Sequence, residues 1–162
     1  MKQTVKWLAA ALIALGLNQA VWADGVQDFR ETLQAAAQGN AAAQFNLGVM
    51  YENGEGVRQD NAEAVRWYRQ AAEQGLAQAQ TNLGNMYYGG RGVRQDDAEA
   101  VRWYRQAAAQ GVAQAQYNLG VMYETGRGVR QDLALAQEWY GKACQNGDQD
   151  GCDNYQRLKA GY

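Results

Sequence analysis

The sequence contains no histidine and no serine, and only two cysteines. Without serine or histidine there is no Ser-His-Asp triad, no Ser-x-x-Lys acylation site and no His-assisted cysteine nucleophile. Two cysteines alone cannot furnish the four ligands of a structural zinc site. No metal or cofactor is therefore expected. A basic excess is missing too: 15 Lys and Arg stand against 17 Asp and Glu. Nucleic acid and anionic lipid both require the basic footprint that this chain lacks.

Long apolar runs are scarce, and the one at the start is short. In MKQTVKWLAAALIALGLNQAVWADG, Lys2 and Lys6 precede an apolar stretch from Trp7 to Leu17, and Val21-Trp22-Ala23 forms an exit before Asp24. The stretch is too brief to span a bilayer comfortably, and polar Asn18 and Gln19 follow it. Residues 1–23 are read as a cleaved bacterial export signal, with an uncleaved membrane anchor as the rival. No cysteine near the cleavage region indicates a lipid anchor. Cleavage would leave 139 residues with 13 basic against 17 acidic side chains, a net charge of −4. The expected location is periplasmic or secreted, with no stable membrane insertion once the signal is gone. The remaining length suits one compact domain or one short array.

What the chain has in abundance is self-similarity. YENGEGVRQD at Tyr51 returns as YYGGRGVRQD at Tyr87 and YETGRGVRQD at Tyr123, each thirty-six residues on. Gly39, Gly75, Gly111 and Gly147 share that register, as do Leu47, Leu83 and Leu119, and Trp67, Trp103 and Trp139. A period of this length marks a stacked solenoid, in which each unit hides its apolar face only against its neighbours.

Each unit is helical twice. Ala79, Leu83, Met86 and Tyr87 fall on one stripe of a first helix, A, and Ala100, Val101, Tyr104, Ala107 and Ala108 on one stripe of a second, B. Asp60 with Glu63, and Asp96 with Glu99, have the spacing of a capping box, while Leu135 leaves only the Asp132 cap in the third unit. The glycine-rich loop between the helices must reverse the chain in a few residues, a task for glycine at positive φ. A phosphate loop would follow a strand and end in Gly-Lys-Ser or Gly-Lys-Thr, and neither feature is present. Val57, Val93 and Val129 are expected to lock the turn. Gly48, Gly84 and Gly120 interrupt helix A at a cost of roughly 1 kcal/mol each relative to alanine. Close approach of the adjacent helix, with Ala71, Ala107 and Ala143 as a flat partner surface, would account for them. Trp67, Trp103 and Trp139 read as packing between repeats, with ligand platforms as the alternative. Arg58, Arg94, Arg130, Arg66 and Arg102 would form a solvated ladder with Glu63 and Glu99.

The pattern Ala-x-x-x-Leu-Gly-x-Met-Tyr, Gly-x-Gly-Val, Asp, Ala-x-x-Trp-Tyr-x-x-Ala-Ala and a closing Gly, from Ala41 to Gly147, closely resembles the Sel-one-like repeat (SLR), a relative of the tetratricopeptide repeat. The resemblance implies an all-α fold, a right-handed α-solenoid of helix-turn-helix repeats whose A helices line a concave face that holds other proteins. Exported bacterial members are similar to adaptors in envelope signalling and host interaction. Some cysteine-rich relatives are linked to β-lactam binding or hydrolysis, which transfers badly to a chain without serine. The expected division is a capping helix at 24–39, repeats at 40–75, 76–111 and 112–147, and a closing cap at 148–162. Glu31 takes the Trp position in the first cap, and the last loses the Leu-Gly-x-Met-Tyr signature.

Cys144 stands in the place of Ala72 and Ala108, and Cys152 where Gln80 and Gln116 begin an A helix. Antiparallel helices joined near Gly147 would bring them together as a disulfide in an exported protein, and cysteine-rich relatives carry pairs at this spacing. A redox-active pair is the alternative, although it usually takes a Cys-x-x-Cys arrangement.

With the core stripes assigned, the other side of helix A remains. It carries Phe45, Val49 and Glu52 in the first unit, Thr81, Asn85 and Tyr88 in the second, and Tyr117, Val121 and Glu124 in the third. These places vary while the framework repeats, and aromatic anchors dominate binding energy, so they form the candidate partner-binding surface. Packing of Phe45 and Tyr117 against a B helix is the structural alternative. The expected function is a non-enzymatic adaptor for a protein or peptide. Its rivals are a cell-wall-directed or β-lactam-related hydrolase using two carboxylates and a passive segment of a larger complex.

Overall fold

The computed structural model describes residues 24–161. Among them are eight helices and no strand. Helix α1 covers 24–37. It is followed by α2 (Ala41–Asn53), α3 (Asn61–Glu73), α4 (Ala77–Gly89), α5 (Asp97–Ala109), α6 (Ala113–Thr125), α7 (Leu133–Gln145) and α8 (Gln149–Lys159). From α2 to α8 the extensive helix packing joins helices consecutive in the chain, the arrangement of a solenoid. The proposed export signal lies outside the described residues.

The helical stripes become the core. Leu47, Leu83 and Leu119 from the A helices and Tyr68, Tyr104 and Tyr140 from the B helices are almost wholly buried, with Met86, Met122 and the alanines filling the space between them. Full burial of a Leu or Met side chain contributes roughly 1.5–3 kcal/mol. A stack of short helices that would be marginal alone is held by this shared seam.

Turn chemistry sets the hairpins. Asp60, Asp96 and Asp132 cap the B helices, accepting from the backbone N–H of Glu63, Glu99 and Leu135. The reciprocal half of a capping box is not made: Asp60 and Asp96 donate their own N–H to the Tyr51 and Tyr87 carbonyls, and Glu63 and Glu99 pair with Arg66 and Arg102 instead. Gly92 shows why the loop requires glycine. Its φ is +67°, and any Cβ there would strike the Asn61 carbonyl of the preceding repeat.

The adjacent helix approaches the glycines inside helix A as expected, but with a tyrosine ring in place of the alanines. A Cβ on Gly48, Gly84 or Gly120 would stand 2.5 Å from the ring of Tyr68, Tyr104 or Tyr140. The close neighbour is thus an aromatic face, and the alanines at 71, 107 and 143 are not what demands glycine. Trp103 is 4 % exposed, and Trp67 and Trp139 pack against the core clusters, so all three serve packing.

A buried amide series ties repeat to repeat. Gln44, Gln80 and Gln116 donate to the carbonyls of Ala36, Ala72 and Ala108. They accept in turn from Gln74, Gln110 and Asn146, so each buried amide is satisfied on both sides. At the next register the two positions are Cys152 and Cys144, joined in a disulfide with Cα atoms 4.5 Å apart. A covalent link here replaces the hydrogen bond that the other repeats use.

Candidate interaction groove

The groove is built on three buried tyrosines. Tyr68, Tyr104 and Tyr140 enter from B helices, lie against the helix-A glycines, and bring their hydroxyls to the variable face. Tyr68 donates to Glu52 Oε2 at 2.6 Å and Tyr140 to Glu124 Oε2 at 2.7 Å. Burial pushes both hydroxyls well above the ordinary tyrosine range, and the carboxylate hydrogen bond adds to it. They remain neutral donors. Each carboxylate's second oxygen is held by an arginine, Arg91 on Glu52 and Arg157 on Glu124, both at 2.6 Å.

The middle repeat departs from this plan. Tyr88 replaces the glutamate, and Tyr104 donates instead to Asn85 Oδ1 at 2.8 Å. Asn118 Nδ2 donates to the same oxygen at 3.2 Å. Arg127, the counterpart of Arg91, lies 4.0 Å from the centre of the Tyr88 ring and makes two 2.9 Å hydrogen bonds to Asp97. The Asp97 bond is the chief cause that raises the arginine's pKa. Burial, followed by the neighbouring Tyr88, pushes the Tyr104 hydroxyl up. A cavity of about 310 Å³ opens here, lined by Asn85, Tyr88 and Tyr104 of one repeat and Tyr117, Asn118, Val121 and Met122 of the next.

Four of the nine residues selected from sequence therefore meet in one place: Asn85, Tyr88, Tyr117 and Val121. Phe45 and Tyr117 pack their rings on Tyr68 and Tyr140, with centroids 5.8 and 5.5 Å apart. Val49 packs against the core, and Glu52 and Glu124 are held in the ion pairs just described. Thr81 is 6 % exposed, and its hydroxyl donates to the Ala77 carbonyl of its own helix. Tyr104, Asn118 and Met122 recur in every repeat, so the period alone marks them as framework. Asp97 differs from Asn61 at the same register, a signal the sequence does carry. Other clefts beside the loops, at Tyr51, Val57 and Arg58, at Tyr87, Val93 and Arg94, and at Tyr123, Val129 and Arg130, recur in register and follow from the scaffold itself. Among the described residues no group of three or more Asp, Glu, Cys or His stands together to hold a metal.

A stack of helical hairpins with a cavity at the middle repeat on the A-helix face defines a repeat scaffold. Comparison with protein families matches the Sel1 repeat at residues 41–76, 77–112 and 113–148, and the chain belongs to the Sel1 repeat family. Proteins built from these repeats are in general protein-interaction scaffolds. No curated protein matches the sequence. Among solved structures, a protective antigen of uropathogenic Escherichia coli with an SLR fold, c5321, is 50 % identical with a TM-score of 0.74 over 75 % of this chain and 26 % of its own. The chain thus spans about a quarter of that relative's length. A Sel1 repeat protein from Oxalobacter formigenes is 44 % identical with a TM-score of 0.74, over 81 % of this chain and 98 % of its own. Cysteine-rich protein B of Helicobacter pylori, at 21 % identity and a TM-score of 0.65 over 82 % of this chain and 96 % of its own, shares the fold.

Proposed function

We propose that the protein is a non-enzymatic adaptor that holds a protein or peptide partner along its A-helix face, between a first cap at 24–39 and a closing cap at 148–162. The observation that carries this reading is the cavity at the middle repeat, where variable residues converge while the framework around them repeats. Its lining joins Tyr88, Tyr104 and Tyr117, of the aromatic type that anchors interfaces, with two asparagines, Val121 and Met122, and holds no carboxylate pair to perform hydrolysis. Glu52 and Glu124 are each neutralised by an arginine and engaged by a tyrosine, so neither is placed to serve as an acid or base.

The same reading places the chain in the periplasm or outside the cell, exported through residues 1–23. A disulfide between Cys144 and Cys152 supports an oxidising compartment. A relative described as a protective antigen agrees with export and with a role in the envelope or towards a host. No helix among the described residues is long and apolar enough to cross a membrane.

Affinity capture from envelope extract tests the function. Native protein should retain a partner that the variant carrying Phe45→Ala, Tyr88→Ala and Tyr117→Ala releases. Equal capture by both, or turnover of peptidoglycan or a β-lactam by the purified protein, would overturn the reading.

A further inference from the structure

We propose that Tyr88, Arg127 and Asp97 make the groove selective for an uncharged aromatic side chain of a peptide, with Asp97 masking an arginine that would otherwise attract an acid. The inference rests on the groove being the partner site and names the chemistry it accepts.

Two positions change together between repeats, around an arginine that stays the same. The first has Glu52, Asn61 and Arg91; the middle has Tyr88, Asp97 and Arg127 at the same registers. Both trios carry one negative and one positive charge. In the first, the carboxylate belongs to the groove residue, Arg91 binds it, and the neutral Asn61 keeps a buried oxygen without a hydrogen-bond partner. In the middle, the carboxylate has moved to Asp97, which takes two donors from Arg127, and the groove wall becomes a ring that the same guanidinium braces. Charge is conserved while the wall changes from carboxylate to aromatic. An unpaired arginine on this wall would favour an acidic ligand, and a free glutamate a basic one; the observed arrangement presents neither.

The cavity next to that wall has room for one aromatic side chain, with Tyr104 and Tyr117 rings and the Val121 and Met122 side chains as apolar neighbours. Asn85 uses its carbonyl oxygen to accept from Tyr104 and Asn118, which leaves its amide N–H groups as donors for a peptide carbonyl. Asp97 and Arg127 are positioning residues in this scheme, acting through Tyr88.

Blocked tripeptides, acetyl-Gly-Phe-Gly-amide and acetyl-Gly-Glu-Gly-amide, provide the probe, read by NMR shifts of the Asn85 and Asn118 side-chain amides. Native protein should bind the phenylalanine peptide about tenfold tighter or more than the glutamate peptide. Asp97→Asn should erase most of that preference by freeing Arg127. The double variant Tyr88→Glu with Asp97→Asn copies the trio of the first repeat, which folds in this chain already, and should lose the phenylalanine peptide with an unchanged melting temperature. Binding of the phenylalanine peptide with a preference untouched by either variant would overturn the inference while leaving the groove as partner site. Absence of any shift with the phenylalanine peptide would overturn it as well, whereas the adaptor reading fails on separate results, equal capture by native and triple-alanine protein or turnover of peptidoglycan or a β-lactam.

Discussion

Cys152 is bonded to Cys144 at the register where Gln80 donates to the Ala72 carbonyl and Gln116 to that of Ala108. The closing helix is therefore fastened covalently where every earlier repeat uses an amide. Closing so short a loop contributes roughly 2–3 kcal/mol by the chain-entropy relation. Replacing both cysteines with alanine should lower urea stability by about that amount. Cys144→Ala with Cys152→Gln, which restores the pattern of the other repeats, should recover about 1 kcal/mol of the loss. Equal stability of the two double variants would show that the amide series is incidental. Mass spectrometry of the non-reduced protein should find the crosslink, and two free thiols would contradict it.

Gly84→Ala separates a packing requirement from helix propensity. An exposed helical glycine gains about 1 kcal/mol on becoming alanine. At this position the added carbon would meet the Tyr104 ring at 2.5 Å, and that ring is 2 % exposed. Overpacking costs about 1–3 kcal/mol, so the net change should be a loss. A rise in the urea midpoint would refute the aromatic contact as the reason for glycine.

Alkaline pH should weaken the fold. The hydroxyls of Tyr68, Tyr104 and Tyr140 are all raised above their ordinary value of 10.0. Below that value both folded and unfolded chains hold these protons, and the contribution is complete. Above it the unfolded chain releases them and the folded chain retains them, so stability falls as pH rises. Urea unfolding at about pH 9 and about pH 11 should show the drop, and Tyr68→Phe should lessen it. A flat profile across that interval would mean that the three hydroxyls ionise freely in the folded protein.

Much of the stack was legible because its elements obey local rules. The Leu47, Leu83 and Leu119 series, the Asp60, Asp96 and Asp132 caps and the loop glycines each announce a helix, a start or a turn without reference to distant residues. Cys144 and Cys152 could be paired because a hairpin fixes their separation. The groove was legible only where a residue broke the period, as at Asn85, Tyr88 and Tyr117. Tyr104 and Asn118 line the same cavity yet recur in every repeat, and their roles differ from those of Tyr68 and Asn82 only through what stands beside them. The coupling of Tyr88 to Asp97 through Arg127 spans two repeats, and pattern alone does not show which charge an arginine will choose. The Gln44, Gln80 and Gln116 series was hidden for a related reason: a polar residue early in a helix looks solvated until the neighbouring helix is in place.

The most direct test of the groove is site-specific photocrosslinking in the native envelope. Benzoylphenylalanine placed at Tyr88 or Tyr117 should form a covalent adduct with the partner. At Arg66 or Arg102, on the exposed ladder of the B helices, it should form none. Adducts from the B-helix positions with none from Tyr88 and Tyr117 would show that the partner sits on the opposite face.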